Sequence, residues 1–230
     1  MVSPNPYWLG KHGEYTIQFL HSLNTSTLRD ENQQSIANLT NDDPRLHVDD
    51  VGNVIFSNII AWMGEISPNV SIDASVIKEA VTGYSSFSFN GGKKFKATNV
   101  GFGLSYSLSI VTALVAAKKN SVVILENPEA HLHPKGQSKL GQLMALAAKA
   151  GVQVIVETHS EHVINGARIM VRKDIISPSL MNVMFVSRDE NKKVSNVEFL
   201  DINEMGQIKK WPEDFFDQQA IDMKTLITGV

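Results

Sequence analysis

Two short apolar runs constrain this chain more than any other feature: Val122 to Leu125, and Val152 to Val156. Both are rich in Val and Ile, and each gives way at once to a polar segment. The first runs into Glu126, Glu129, His131 and His133, the second into Glu157, Thr158, His159 and Ser160. Runs of this kind read as strands buried on both faces of a parallel sheet. In such sheets polar chemistry collects at the carboxyl ends of the strands. Neighbouring parallel strands lie about 4.8 Å apart, so groups at their ends can converge on one ligand. The acids and histidines at these two ends therefore mark a reaction centre or its remnant.

Around this pair, helical and strand patterns alternate. Glu14 to Leu23 carries Ile17 and Leu20 at helical spacing. Ser3 to Pro6 is turn-like, and Thr25 to Pro44 is a polar connection. His47 to Ile66 reads as one amphipathic helix, with Val48, Val51, Ile55, Ile59, Trp62, Met63 and Ile66 recurring, ended by Ser67-Pro68-Asn69. Alternation in Ser71 to Ala74 and Ser86 to Phe89, with a turn at Asn90-Gly91-Gly92, predicts a β-rich patch. Further helices are expected at Leu104 to Lys118, Gln137 to Ala150 and Glu161 to Val171, and a terminal strand pair at Met181 to Val186 and Val194 to Leu200. Trp211, Phe215 and Phe216 are expected to dock the tail through aromatic packing rather than to form a ligand-stacking platform. The expected fold is α/β: an incomplete parallel sheet flanked by helices, with a β-rich patch and a helical N-terminal segment. The expected divisions are a segment over 1–69, a main lobe over 70–205 and an extension over 206–230.

Composition narrows the function. The chain has 230 residues, 43% hydrophobic and 20% charged, which suits a globular α/β domain with or without an appendage. There is no cysteine, so disulfides, thiol nucleophiles and Cys-ligated zinc are excluded. A net charge of -3 provides no global basic field for nucleic acid. Ile110 to Ala117 is too short to span a bilayer, and the N-terminus lacks a signal-peptide pattern. A soluble cytoplasmic protein without membrane attachment is the expectation.

At the first strand end, Glu126 is placed to hold a magnesium ion directly or through water. Glu129 can orient a water or act as a second ligand, and His159 can reach a phosphate oxygen or an attacking water. These residues carry a resemblance. LENPEAHLHP, Leu125 to Pro134, resembles the Walker B segment of ABC-type ATPases, especially the overcoming-lysogenization-defect (OLD-like) branch, and ETHS, Glu157 to Ser160, resembles the histidine switch. NVGFGLS, Asn99 to Ser105, sits where that superfamily carries its signature motif. KKWPEDFF, Lys209 to Phe216, looks like the C-terminal extension of a bacterial family of unknown function among AAA-type ATPases. LGKHGEYTIQFL, Leu9 to Leu20, also looks familial.

The resemblance implies a P-loop NTPase-like head of the ABC type that uses ATP and Mg2+. Glu126 falls at the magnesium-binding acid and His159 at the sensor of the γ-phosphate. Gly101, Gly103 and Ser105 fall at the signature, whose N–H groups and hydroxyl face the nucleotide of an opposing subunit as an anion nest. Asn127 falls where the general base belongs, and an amide cannot take a proton, which leaves Glu129 as the candidate substitute. A Walker A loop, Gly-x-x-x-x-Gly-Lys-Ser/Thr, is absent: Gly10-Lys11 is followed by His12, Gly92-Lys93 by Lys94, and neither has the upstream glycine. The missing loop is expected from a separate partner polypeptide, and the sheet edge left open, a pairing liability, predicts such a partner or a homo-oligomer. Coupling to DNA or an effector protein, as in bacterial antiviral defence, follows from family analogy alone.

Two other readings fit the residues. One is a degenerate, non-catalytic head acting as an interaction module. The other is a metal-dependent hydrolase built on His131, His133, His159 and His162 with Glu126, Glu129, Glu157 and Glu161. Against the second, His133 before Pro134 suits a helix cap, and Glu157 and Glu161 suit helix-cap and surface charge.

Overall fold

The computed structural model describes residues 8–25, 38–50, 52–77, 82–189, 193–212 and 215–229. The readings at Ser3 to Pro6 and Val51, and most of that at Thr25 to Pro44, lie outside them. The chain forms two compact units, Met1–Gly166 and Ala167–Val230.

The first unit is built on three buried helices. Helix α1 (Thr16–Asn24) buries Phe19, Leu20 and Leu23. Helix α2 (Ile55–Ile66) buries Ile55, Ile59, Trp62 and Met63. Helix α3 (Phe102–Ala116) is apolar on nearly every side, with Leu104, Leu108, Val111, Leu114 and Val115 in the core. It packs against both α1 and α2. An all-round apolar helix has to sit inside a layered domain, and α3 is the element around which this unit is assembled.

The expected helix over His47 to Ile66 is corrected by the structure, which starts α2 only at Ile55. Val48 is 92% exposed. Gly52 and Asn53 take positive φ, which breaks the helical path. The stretch before α2 is held by buried polar groups instead. The His47 N–H donates to Asn58 Oδ1 (2.7 Å), and Asn58 Nδ2 donates to Asp50 (2.5 Å). Arg45 pairs with Asp43 (2.7 Å) and donates to the carbonyls of Leu114 and Ala117, where α3 ends.

Strands β1 (Val70–Ile77) and β2 (Thr82–Phe89) pair antiparallel, from Val70 opposite Phe89 to Ile77 opposite Thr82. Val70, Ile72 and Ala74 are buried while Ser71 and Asp73 are exposed, as period-two alternation requires. Asn90 and Gly91 both have positive φ, which the turn back to β3 (Phe95–Lys96) needs.

Strands β4 (Val122–Glu126) and β5 (Gln153–Glu157) form the expected parallel pair, in register from Val122 opposite Gln153 to Glu126 opposite Glu157. The crossover is α4 (Pro134–Lys149), which buries Leu140, Leu143, Met144 and Ala147 and packs on α2, α3 and β5. One expectation fails here: the strands are not buried on both faces. Val123, Leu125, Val154 and Val156 are half-buried, while Val122, Ile124 and Ile155 are exposed, Ile124 by 74%. A parallel pair needs a layer on each face, and no described element of this unit covers the outer one.

Helix α5 (Glu161–Arg172) begins in the first unit. Its Gly166 lies so close to the Ser138 carbonyl of α4 that a Cβ would overlap it.

In the second unit, β6 (Val183–Asp189) and β7 (Val194–Leu200) pair antiparallel, the terminal strand pair the sequence predicts. Helix α6 (Gln218–Thr228) ends at Gly229, whose φ of 73° is the usual left-handed stop. Phe215 packs against Phe185 of β6 and against Trp211 and Phe216, with ring centroids 5.1, 5.4 and 4.4 Å apart. The Arg168 guanidinium lies over Trp211 at 5.2 Å. The architecture is α/β, with parallel and antiparallel sheets flanked by helices in a P-loop NTPase-like arrangement.

Candidate functional site

The parallel register sets Glu126 and Glu157 side by side at the carboxyl ends of β4 and β5. Glu126 is the last residue of its strand rather than the first beyond it. Asn127 then turns the chain away at φ 46°, a left-handed position that Asn tolerates better than most residues. Its N–H donates to the Glu157 carbonyl (2.9 Å), adding one more rung between the two segments. The turn continues through Ala130 N–H to Asn127 O (3.1 Å) and Leu132 N–H to Glu129 O (3.0 Å). It closes at His133, whose Nδ1 accepts from the Lys135 N–H (3.3 Å) as the N-cap of α4.

Glu129 lies inside this turn with both carboxylate oxygens engaged. Oε2 accepts from Thr158 Oγ1 at 2.7 Å and Oε1 from the His159 N–H at 2.8 Å. Ser160 next donates through Oγ to Gln137 Oε1 (2.5 Å) and accepts the N–H groups of His162 and Val163, capping α5. Gln137 Nε2 reaches back to the Leu132 carbonyl (2.8 Å). The turn after β4 and the loop after β5 are thus bridged at three places. The Glu126 carboxylate and the His159 ring, both exposed, have no hydrogen-bond partner among the described residues.

The glycine-punctuated start of α3 abuts the same turn. Gly103 is buried so tightly against His131 that a Cβ would overlap the His131 carbonyl oxygen. Gly101 occupies the N-cap position without a side-chain cap, and no acid sits in the first turn, so the amides there keep their donor character. Ser105 Oγ donates to the Ala97 carbonyl (3.4 Å). Phe102, 63% exposed, stacks on Tyr106 (5.9 Å) and meets the edge of His131 (5.0 Å). The Tyr106 hydroxyl donates to the Glu126 carbonyl at 2.8 Å. Burial, and then the charges of Glu129 and Glu126, push the Tyr106 phenol above its ordinary range and keep it a donor. Tyr106 escapes the sequence reading; its spacing of one helical turn from Phe102 is the signal that could have found it.

Glu126, Asn127, Glu129 and His159 therefore come together at one sheet edge. Gly101, Gly103 and Ser105 lie alongside through the Gly103–His131 and Tyr106–Glu126 contacts. The histidines do not converge. Among the described residues no three His, Asp or Glu side chains form a group able to hold a metal. His133 caps α4, His131 packs on Phe102, and His162 lies 4.0 Å from Glu161. Among the described residues the metal-hydrolase reading finds no such cluster. Magnesium in nucleotide enzymes asks for less, one or two carboxylates completed by phosphate oxygens and water. The unengaged Glu126 carboxylate fits that role.

The fold and this edge define an ATPase-like domain of the P-loop class. The chain belongs to the family described as "AAA domain, putative AbiEii toxin, Type IV TA system", whose model matches residues 7–165. Residues 176–226 match a second model, a protein of unknown function (DUF3696). No curated protein matches the chain. Solved structures with similar folds include one from work on ATP-driven dimerization and DNA-stimulated activation of SMC ATPases. It is 16% identical, with 75% of this chain and 90% of that one covered and a TM-score of 0.47. The SmcHead bound to the C-winged helix domain of ScpA is 16% identical, with 65% and 43% covered and a TM-score of 0.49. The Smc head of Pyrococcus furiosus bound to the C-terminal domain of ScpA is 12% identical, with 75% and 37% covered and a TM-score of 0.47. The chain spans less than half of each of the last two.

Proposed function

We propose that this chain supplies the Walker B acid, histidine switch and signature of an ABC-type, OLD-like ATPase head, and that hydrolysis requires a second lobe carrying the phosphate loop. One observation carries the reading: the turn after β4, the loop after β5 and the start of α3 are knitted together at the end of a parallel pair whose outer face leaves Val122, Ile124 and Ile155 uncovered. A strand leading into the phosphate loop would pair at the open edge, and the helix after it would cover that face, against Val122, Ile124 and Ile155. A homo-oligomer, with a second copy facing the nucleotide, is the companion expectation.

In this reading Glu126 holds magnesium, which supplies positive charge to the phosphates when bound. His159 reports on the γ-phosphate through its unengaged ring. Gly101, exposed and with open space where a Cβ would stand, allows close backbone approach. Gly103 seats the helix start on the turn at His131, and the uncapped amides at the start of α3 offer donors to an anion. Ser105 lies beside them. Asn127 contributes a hydrogen-bonding amide where a base would stand. DNA or an effector protein as the downstream partner, and a place in bacterial antiviral defence, rest on analogy with the family.

Calorimetry of the full chain with ATP and magnesium tests this. Alone, the chain is expected to bind weakly and not turn over; with the complementing lobe it hydrolyses ATP, and Glu126→Gln lowers kcat at least about a hundredfold. Turnover by the chain alone at an ordinary enzymatic rate, on the order of 10 per second, sinks the split-head reading. A non-catalytic interaction module is the second reading, favoured by Asn127 at the base position. It requires Glu126→Gln and His159→Ala to leave function intact.

A further inference from the structure

We infer that Glu129 sets the position of His159 and does not take a proton from water. This assignment deepens the ATPase-head reading and rests on it only for what His159 senses; the contact stands apart from any nucleotide. Its basis is the double engagement of one carboxylate by consecutive residues, the Thr158 hydroxyl at 2.7 Å and the His159 N–H at 2.8 Å. Hydrogen bonds to an ionised carboxylate are among the stronger ones available to a protein. Two of them from adjacent residues fix the carboxylate in place and fix the backbone of His159 to it.

The neighbouring bridges act in the same direction. Asn127 N–H holds Glu157 on one side of His159, and Gln137 holds Ser160 on the other. The backbone of His159 is therefore pinned before, at and after the residue, while its imidazole has no partner among the described residues. A sensor needs that division: a fixed origin and a ring free to find its ligand. A general base needs the reverse, a carboxylate turned toward a water. Glu129 is turned toward the loop. Because the same turn carries His131 against Gly103, a displacement at His159 would also be felt where α3 begins.

The test uses the isotope-labelled full chain without nucleotide, reading the His159 amide by NMR and hydrogen exchange. Glu129→Ala should speed exchange of that amide at least tenfold and shift its resonance. Thr158→Val should loosen it partly and Thr158→Ser should restore it, which keeps the test decisive if Glu129→Ala fails to fold. A folded Glu129→Ala chain with an unchanged His159 amide overturns the assignment. In the complemented ATPase, Glu129→Gln is expected to lower kcat less than tenfold. A loss beyond about a hundredfold with the His159 amide unmoved would make Glu129 the base and overturn it as well. If the complemented wild type hydrolyses nothing, the ATPase reading falls while the amide measurement still decides the contact.

Discussion

At the residue scale, the same side-chain chemistry serves opposite ends according to its neighbours. Asp43 and Arg45 form a pair whose side chains are 11% and 6% exposed. Burial raises the Asp43 carboxyl, but hydrogen bonds and charge from Arg45 outweigh it and hold it below the usual carboxylate range. A folded-state value below the unfolded one means that the contribution is present above about pH 4 and fades as pH falls through the folded value. Asp43→Asn leaves a buried guanidinium with two backbone carbonyls as its remaining acceptors. We expect it to cost about 3–5 kcal/mol in urea unfolding at pH 7, with the difference from wild type shrinking below pH 4. None of this is legible in the sequence, where Asp43 stands near the end of a polar connection and Arg45 lies just beyond it. Glu126 and Glu129 teach the same lesson: three positions apart and alike on paper, one is unengaged and the other doubly bonded.

At the element scale, hydrophobic period located most helices and strands to within a few residues and failed at α2. Val48, Ile55, Ile59 and Trp62 keep a helical beat across a segment that is not helical before Ile55. Asn58 decides the matter. It is fully buried, and its amide accepts from the His47 N–H and donates to Asp50, holding the preceding chain in a loop across one face of α2. Asn58→Ala should therefore cost about 3 kcal/mol, three hydrogen bonds' worth with a buried N–H left over, and should raise amide exchange at His47 ahead of global unfolding. Periodicity reports which face is apolar; it does not report whether a polar side chain has already claimed the backbone beside it.

At the scale of the molecule, the open question posed by the sequence was what completes the sheet. The outer face of β4 and β5 answers in part: Val122, Ile124 and Ile155 are displayed where a parallel pair should be covered. Contiguous exposed apolar surface of this kind drives association. The chain alone is expected to self-associate with rising concentration in sedimentation experiments. Ile124→Lys should suppress that while changing unfolding stability by less than about 0.5 kcal/mol, as for other exposed sites; undiminished association in Ile124→Lys would place the contact elsewhere. What the sequence determined by itself was the order of elements as far as β7, the parallel pair and the residues at its ends, because alternation, β-branched runs and turn residues act locally; α6 in the tail was not among them. What only the tertiary structure decided was which of those end residues is engaged and which face is bare. Glu129 and His159 lie 30 positions apart, and their meeting depends on the register of two strands and on the crossover helix between them, which no local pattern encodes.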